Sequence, residues 1–318
     1  MFNRGVLETN MLFRALAIFG VVAHHANFIV FPGGAAFLLA LAGYNYRKFK
    51  FNSFVRDDSS WPSTTRYLAK LVRPYLAVVG LYFIWKGTFE WDTLLLVSVT
   101  LGNHAASIFP LWFIQVLVQA VVLIAVIFSI PAMRSAAKEQ GWTMALLLFA
   151  ASTALTLINR AYPDLPLIGG ELTLGRWFSL VFLGWLACEA RSALKKAVFV
   201  VISIVYSLYF YEFTSTTYWI MVGFSATVLV GSLPAPQAIA VLANNVARAS
   251  YYIYLSHIAT FHIVSVALPI DTPAVRTAVA MFFGWLAWYV VDDKRAFHLV
   301  IGTLRNGFGR SVERANLT

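Results

Sequence analysis

Apolar residues run along this chain in long blocks, and the blocks approach the ~20 residues needed to cross the hydrocarbon core of a bilayer. They fall at 11–31, 34–46, 67–86, 110–130, 142–159, 175–190, 197–212, 216–233, 250–269 and 274–291. Short polar stretches separate them. The pattern predicts an all-α polytopic transmembrane bundle of about ten spans, forming one domain over 1–318, with spans within 11–291 and a basic tail over 292–318. The apolar stretch 91–101, flanked by Trp91, Asp92 and Asn103, is too short to cross and reads as re-entrant or interfacial. The second span is also short and contains Gly33, Gly34 and Gly43, which suits the wall of a site.

Charge sets the orientation. Arg47, Lys48, Lys50, Arg56 and Arg66 follow the second span, which places that loop, and with it the N-terminus, on the cytoplasmic side. Arg134 and Lys138, then Arg191, Lys195 and Lys196, then a tail with Lys294, Arg295, Arg305, Arg310 and Arg314 fall on the same side, so the C-terminus is cytoplasmic too. Glu171, Glu212 and Asp271 fall outside. The first block carries Arg14, lacks a small-residue cleavage pattern and precedes many further spans, so it is expected to remain as the first helix.

Composition agrees. At 60% hydrophobic, 12% charged and a mean hydropathy of +0.73, the chain has too little polar surface to cover a water-soluble globule. The net charge of +10 follows from cationic inner loops and gives no reason to expect nucleic acid as a partner. The single cysteine, Cys188, excludes intramolecular disulfides and cysteine-based metal sites.

Arg14 and His25 lie within one apolar block, and charged or titratable groups at bilayer depth usually mark function. Eleven residues carry a helix about 20° past three full turns and about 16 Å along its axis, so the two share a face, whereas His24 sits roughly 100° away from His25. His25 suits a general base near neutral pH, and Arg14 suits a phosphate or other oxyanion. The competing reading has Arg14 snorkelling to the interface and His25 bonded to a backbone carbonyl. The shared face favours function, with the pair lining one tunnel entered from the cytosol.

Arg66, Lys70 and Arg73, with Pro74 and Tyr75, form a basic stripe at the start of the third span. The stripe fits a phosphate site and a lipid anchor equally. Trp112 is an interface anchor or a site wall, and Arg176 binds a substrate anion or pairs with Glu171; the anchor and the pair are the simpler readings. Ser250-Tyr251-Tyr252-Ile253-Tyr254-Leu255-Ser256-His257 gathers aromatic, hydroxyl and imidazole groups that suit packing between helices, with His257 the exception to test. No two of His24, His25, His104, His257 and His262 show the spacing of a helical zinc motif, so no metal is expected.

With these residues in place, the chain resembles the acyltransferase family 3 of bacterial multi-span membrane acyltransferases. The likeness rests on Arg14 and His25 with ten residues between them, Leu111-Trp-Phe-Ile114, Phe182-Leu-Gly-Trp185 and Ser250 to His257, in that order along the chain. Two motifs depart from the family: Ala42-Gly43-Tyr44 stands where Ser-Gly-Phe is frequent, and Lys70-x-x-Arg73 where Arg-x-x-Arg is frequent. The first removes a hydroxyl, and the second loses one bidentate fork. The resemblance implies an O-acyltransferase of the bacterial inner membrane that moves an acetyl or other short acyl group from cytoplasmic acyl-coenzyme A, as co-substrate, to a hydroxyl of a sugar or lipid-linked glycan. It implies His25 and Arg14 as the catalytic pair, Arg14, Arg66, Lys70 and Arg73 as the coenzyme A site, and Trp112, Arg176, Tyr254 and His257 as acceptor-side candidates. A transporter or flippase using the buried Arg and His is the alternative.

Overall fold

The computed structural model describes residues 4–52, 61–98, 100, 111–162, 174–267 and 272–292. The expectations for Arg56, Asn103, His104, Pro110, Glu171, Asp271, Lys294, Arg295, Arg305, Arg310 and Arg314 lie outside the described residues.

The protein is predominantly helical. Among the described residues the longer helices are α1 (Thr9–His25), α2 (Gly34–Asn45), α3 (Trp61–Lys86), α4 (Trp112–Ser129), α5 (Gly141–Ala161), α6 (Leu174–Glu189), α7 (Ala193–Tyr211), α8 (Ser215–Val230), α9 (Gln237–Ala267) and α10 (Pro273–Val291). Five of them, α3, α4, α5, α7 and α10, are long and apolar enough to cross a membrane. Each coincides with an apolar block of the sequence. Leu81, Ile84, Leu147, Val201, Val205 and Phe282 turn outward on these helices, an apolar surface that water would not tolerate at this extent.

Four features correct the reading from the pattern. The first block, 11–31, is not one helix: α1 stops at His25, where Asn27 takes a left-handed conformation (φ 58°) and the chain loops to Gly33 (φ 102°). A side chain at Gly33 would strike Thr216 at the start of α8, so only glycine fits there. Second, two short strands, β1 (Arg4–Glu8) and β2 (Ser232–Pro236), pair antiparallel with Leu7 opposite Leu233. Third, α9 begins thirteen residues before the predicted position 250. Fourth, Pro131–Glu139, expected as a loop, is a short helix with proline in its first turn, where a missing amide costs nothing.

Within 91–98, Trp91–Leu94 make one helical turn and the chain then leaves helix geometry, so these residues form no long helix. Side chains hold it. The Tyr75 hydroxyl donates to the Thr93 carbonyl (2.9 Å), Gln115 Nε2 donates to the Tyr75 hydroxyl (3.1 Å) and Ser98 Oγ donates to Gln115 Oε1 (2.8 Å). Backbone that leaves helix geometry at bilayer depth needs such partners.

Packing brings helices close where side chains are missing. A Cβ at Gly43 would collide with the Val181 backbone and one at Gly184 with the Ala40 backbone, so α2 and α6 cross with their main chains nearly touching; Gly284 on α10 approaches Ile253 on α9 in the same way. Trp185, Phe37, Phe51 and Phe128 fill the core around the α2–α6 crossing. After α2 the chain continues as a π-helical turn, Tyr46–Phe51, held beside β1 by the ion pair of Lys48 Nζ with Glu8 Oε2 (3.4 Å).

Candidate active site

β1 and β2 pair antiparallel and lead into α1 and α9 from opposite ends of the ribbon. The two helices nevertheless run parallel, as the order of their contacts shows: Arg14 meets Ser250 and His25 meets His257. Leu7 and Ala15 pack on Ala240, Ala243 and Ala247, a stripe of small residues that lets the two elements approach. Higher along the pair, Arg14 Nε donates to Ser250 Oγ (2.8 Å), and at the far end His25 Nδ1 lies 2.8 Å from His257 Nε2. Arg14 and His25 therefore both reach α9, as a shared face requires. Eleven residues on α1 answer seven on α9, and the long arginine side chain takes up the difference of about 6 Å.

Hydrogen bonding fixes the tautomers of the two histidines. His257 is fully buried, and its Nδ1 lies 2.5 Å from the Tyr254 carbonyl oxygen. A carbonyl only accepts, so His257 Nδ1 carries the hydrogen and, in a neutral ring, its Nε2 accepts. His25 accordingly donates from Nδ1, which leaves its Nε2 lone pair without a partner among the described residues. The rings lie nearly parallel, 14° apart with centroids 5.1 Å from each other. This is an imidazole oriented by a second group, itself oriented by backbone, an arrangement suited to taking a proton from a hydroxyl.

Arg14 lines a cavity of about 730 Å³ that also gathers Arg66, Lys70 and Arg73, the stripe singled out from the sequence. The volume is within the range of sites for drug-sized ligands, roughly 300–1,000 Å³. Lys50 from the π-helical turn and Arg248 from α9 join them, against one carboxylate, Asp292, among the described residues. Arg66, Lys70 and Arg73 recur at helical spacing on one face of α3, and Pro74, inside that helix, cannot donate the amide hydrogen that the Lys70 carbonyl would otherwise receive. The Tyr251 hydroxyl donates to the Leu71 carbonyl and pins α9 to this stretch of α3.

The expectation of one tunnel lined by both Arg14 and His25 is corrected here. His25, the last residue of α1, is exposed at the protein surface and lines a separate cavity of about 50 Å³ with His24, Trp112 and Tyr254. Tyr254 belongs to the walls of both cavities and stands between them, packed on Phe113 at a centroid distance of 5.0 Å. The two cavities share Tyr254 alone among their lining residues, so Arg14 and His25 line separate spaces where sequence spacing suggested one.

No family model, curated protein or solved structure matches this chain. The likeness to acyltransferase family 3 therefore stands on the motifs quoted above, and function must be argued from the arrangement of side chains.

Of the remaining candidates, Trp112 lines the small cavity and packs on Trp177 with the rings tilted by 36° (4.2 Å between centroids). Arg176 lies outside both cavities, its guanidinium 4.5 Å from the Tyr211 ring centroid and its Nη2 3.5 Å from the Phe210 carbonyl. His24 lines the small cavity with a buried Nδ1 that has no partner among the described residues. Sequence reasoning missed Ser250 as the partner of Arg14, the contribution of Lys50 and Arg248, and the His25–His257 contact. Arg248 and Ser250 border the motif already noted, but nothing in spacing says that they turn toward α1.

Proposed function

We propose that the protein is an integral membrane O-acyltransferase in which the bundle α1–α10 crosses the bilayer ten times with both termini on the cytoplasmic side. The start of α1 and the end of α10 support this topology, because Arg14 and Asp292 line the same cavity and an even number of passes returns the chain to its starting side. The cationic loops assign that side to the cytoplasm.

The single observation that carries the reading is the placement of a six-cation cavity on one side of Tyr254 and an oriented histidine base on the other. Arg14, Arg66, Lys70 and Arg73 suit the phosphates of coenzyme A, and the pantetheine arm would pass Tyr254 to present its thioester toward His25, which requires that ring to swing aside. His25 Nε2 then takes the proton of an acceptor hydroxyl as its oxygen bonds to the thioester carbonyl carbon. When the carbon–sulfur bond breaks, the leaving thiolate takes that proton, giving the ester and free coenzyme A and restoring neutral His25. Throughout, His257 accepts the His25 Nδ1–H and supports the transient imidazolium.

An aromatic partition between two cavities also suits a carrier that opens to each side in turn. Purified protein given labelled acetyl-coenzyme A and envelope glycans separates the two. Thiol release with label on the glycan, lost by about 100-fold or more in His25→Ala, supports the enzyme; label movement across a vesicle without thiol release supports the carrier.

A further inference from the structure

A second cavity, of about 510 Å³, lies at the same end of the bundle and takes no part in the acyl-transfer reading. Its walls come from the π-helical turn, the short helix Pro131–Glu139, the start of α5 and the junction of α6 with α7. Arg47 and Glu189 form an ion pair there, both side chains 9% exposed. The Glu189 carboxylate abuts Gly141, at the α5 N-terminus, where no side chain caps the first-turn amides. Arg47 keeps an Nε without a hydrogen-bond partner among the described residues. Lys138, Arg191 and Lys195 stand exposed around this floor, and none of the three forms an ion pair among the described residues.

The cavity sets Arg47, Lys138, Arg191 and Lys195 against two carboxylates, Glu139 and Glu189, the latter taken up by Arg47 and facing the α5 N-terminus. Its rim therefore keeps an excess of cations, and a concave site with excess cations recognises a phosphate group. We propose that this cavity binds a phosphate-bearing anion, and that an anionic phospholipid head group is the occupant its surroundings fit. Trp142 lines the cavity with Lys195 Nζ 5.8 Å from its ring centroid, and Leu194 beside it is 74% exposed. An indole and an exposed aliphatic chain next to lysine and arginine at helix ends match the chemistry of the bilayer interface, where basic pockets between helices take lipid phosphates.

The test is binding, so it does not depend on turnover and can succeed or fail independently of the acyltransferase reading. Full-length protein in neutral detergent is titrated with phosphatidylglycerol, phosphatidylcholine or pyrophosphate, with bound ligand counted by native mass spectrometry and thermal stability followed in parallel. Saturable phosphatidylglycerol binding is expected, with weak phosphatidylcholine binding. The double variant Arg191→Gln/Lys195→Gln should weaken phosphatidylglycerol roughly 30-fold, from two interfacial charges lost, while Arg160→Gln, at the opposite end of α5, leaves it unchanged. Binding of pyrophosphate without phosphatidylglycerol, again sensitive to the double variant, supports the phosphate site and assigns it to a soluble ligand. Equal binding of both lipids with no pyrophosphate binding, or a double variant that binds like the parent, overturns the proposal.

Discussion

His25 and His257 face each other across α1 and α9 with nitrogen to nitrogen at 2.8 Å, although 232 positions separate them in the chain. Their order of donation is set from the buried side, by the carbonyl of Tyr254, so the exposed nitrogen of His25 is the one held ready to accept a proton.

Replacing His257 tests that order. In His257→Phe the Nδ1–H of His25 loses its acceptor, and the ring loses both orientation and support for its protonated form. Turnover is expected to fall about tenfold or more with little change in KM for the donor. His257→Gln, which can still accept through its amide oxygen, should recover part of the loss. A His257→Phe enzyme with parental kcat would remove His257 from the relay.

Arg14 offers a second test, because its Nε is committed to Ser250 while the residue lines the large cavity. Arg14→Lys keeps the charge but cannot hold Ser250 and an oxyanion together. Donor affinity should weaken by about 10- to 100-fold, the cost of one charge-assisted hydrogen bond, with thermal stability in detergent nearly unchanged. Calorimetric titration with a non-reactive coenzyme A thioether measures it, and unaltered affinity would count against a donor role.

Glycine positions separate packing from tolerance. At Gly184 a methyl group meets the Ala40 main chain across the α2–α6 crossing, whereas at Gly80 it meets nothing within 4 Å. Gly184→Ala should destabilise the protein by about 1–3 kcal/mol through overpacking. Gly80→Ala, on α3 with open space for a methyl group, should be neutral or stabilise by roughly 0.5–1 kcal/mol. Thermal unfolding in detergent reads both, and equal effects at the two sites would contradict the close crossing.

The Arg47–Glu189 pair predicts a non-additive result. Arg47→Ala strands a buried carboxylate and should cost about 3–5 kcal/mol, while Arg47→Met combined with Glu189→Leu should come close to the parent because neither charge remains to be solvated. Should the single variant prove as stable as the double one, the carboxylate has another source of compensation.

The positions of the helices were legible in the sequence because each long apolar block has one low-energy answer in a bilayer, a helix that satisfies its own backbone. The basic stripe of Arg66, Lys70 and Arg73 was legible for a local reason too, since three- and four-residue spacings place side chains on one face of α3. Spacing within α1 likewise put Arg14 and His25 on one side. None of these inferences needed a partner element.

Only the tertiary structure decided what those residues meet. The pairing of Arg4–Glu8 with Ser232–Pro236 joins segments with no shared local pattern, and the packing of α1 along α9 is what lets Ser250 answer Arg14 and His257 answer His25. Packing also made Tyr254 the lining residue that the two cavities share, and α1 closes at His25 ahead of a left-handed turn at Asn27. Periodicity reports which way a side chain points from its own helix; which neighbour stands there depends on contacts between chain segments far apart in sequence, whose energies appear only when the bundle packs.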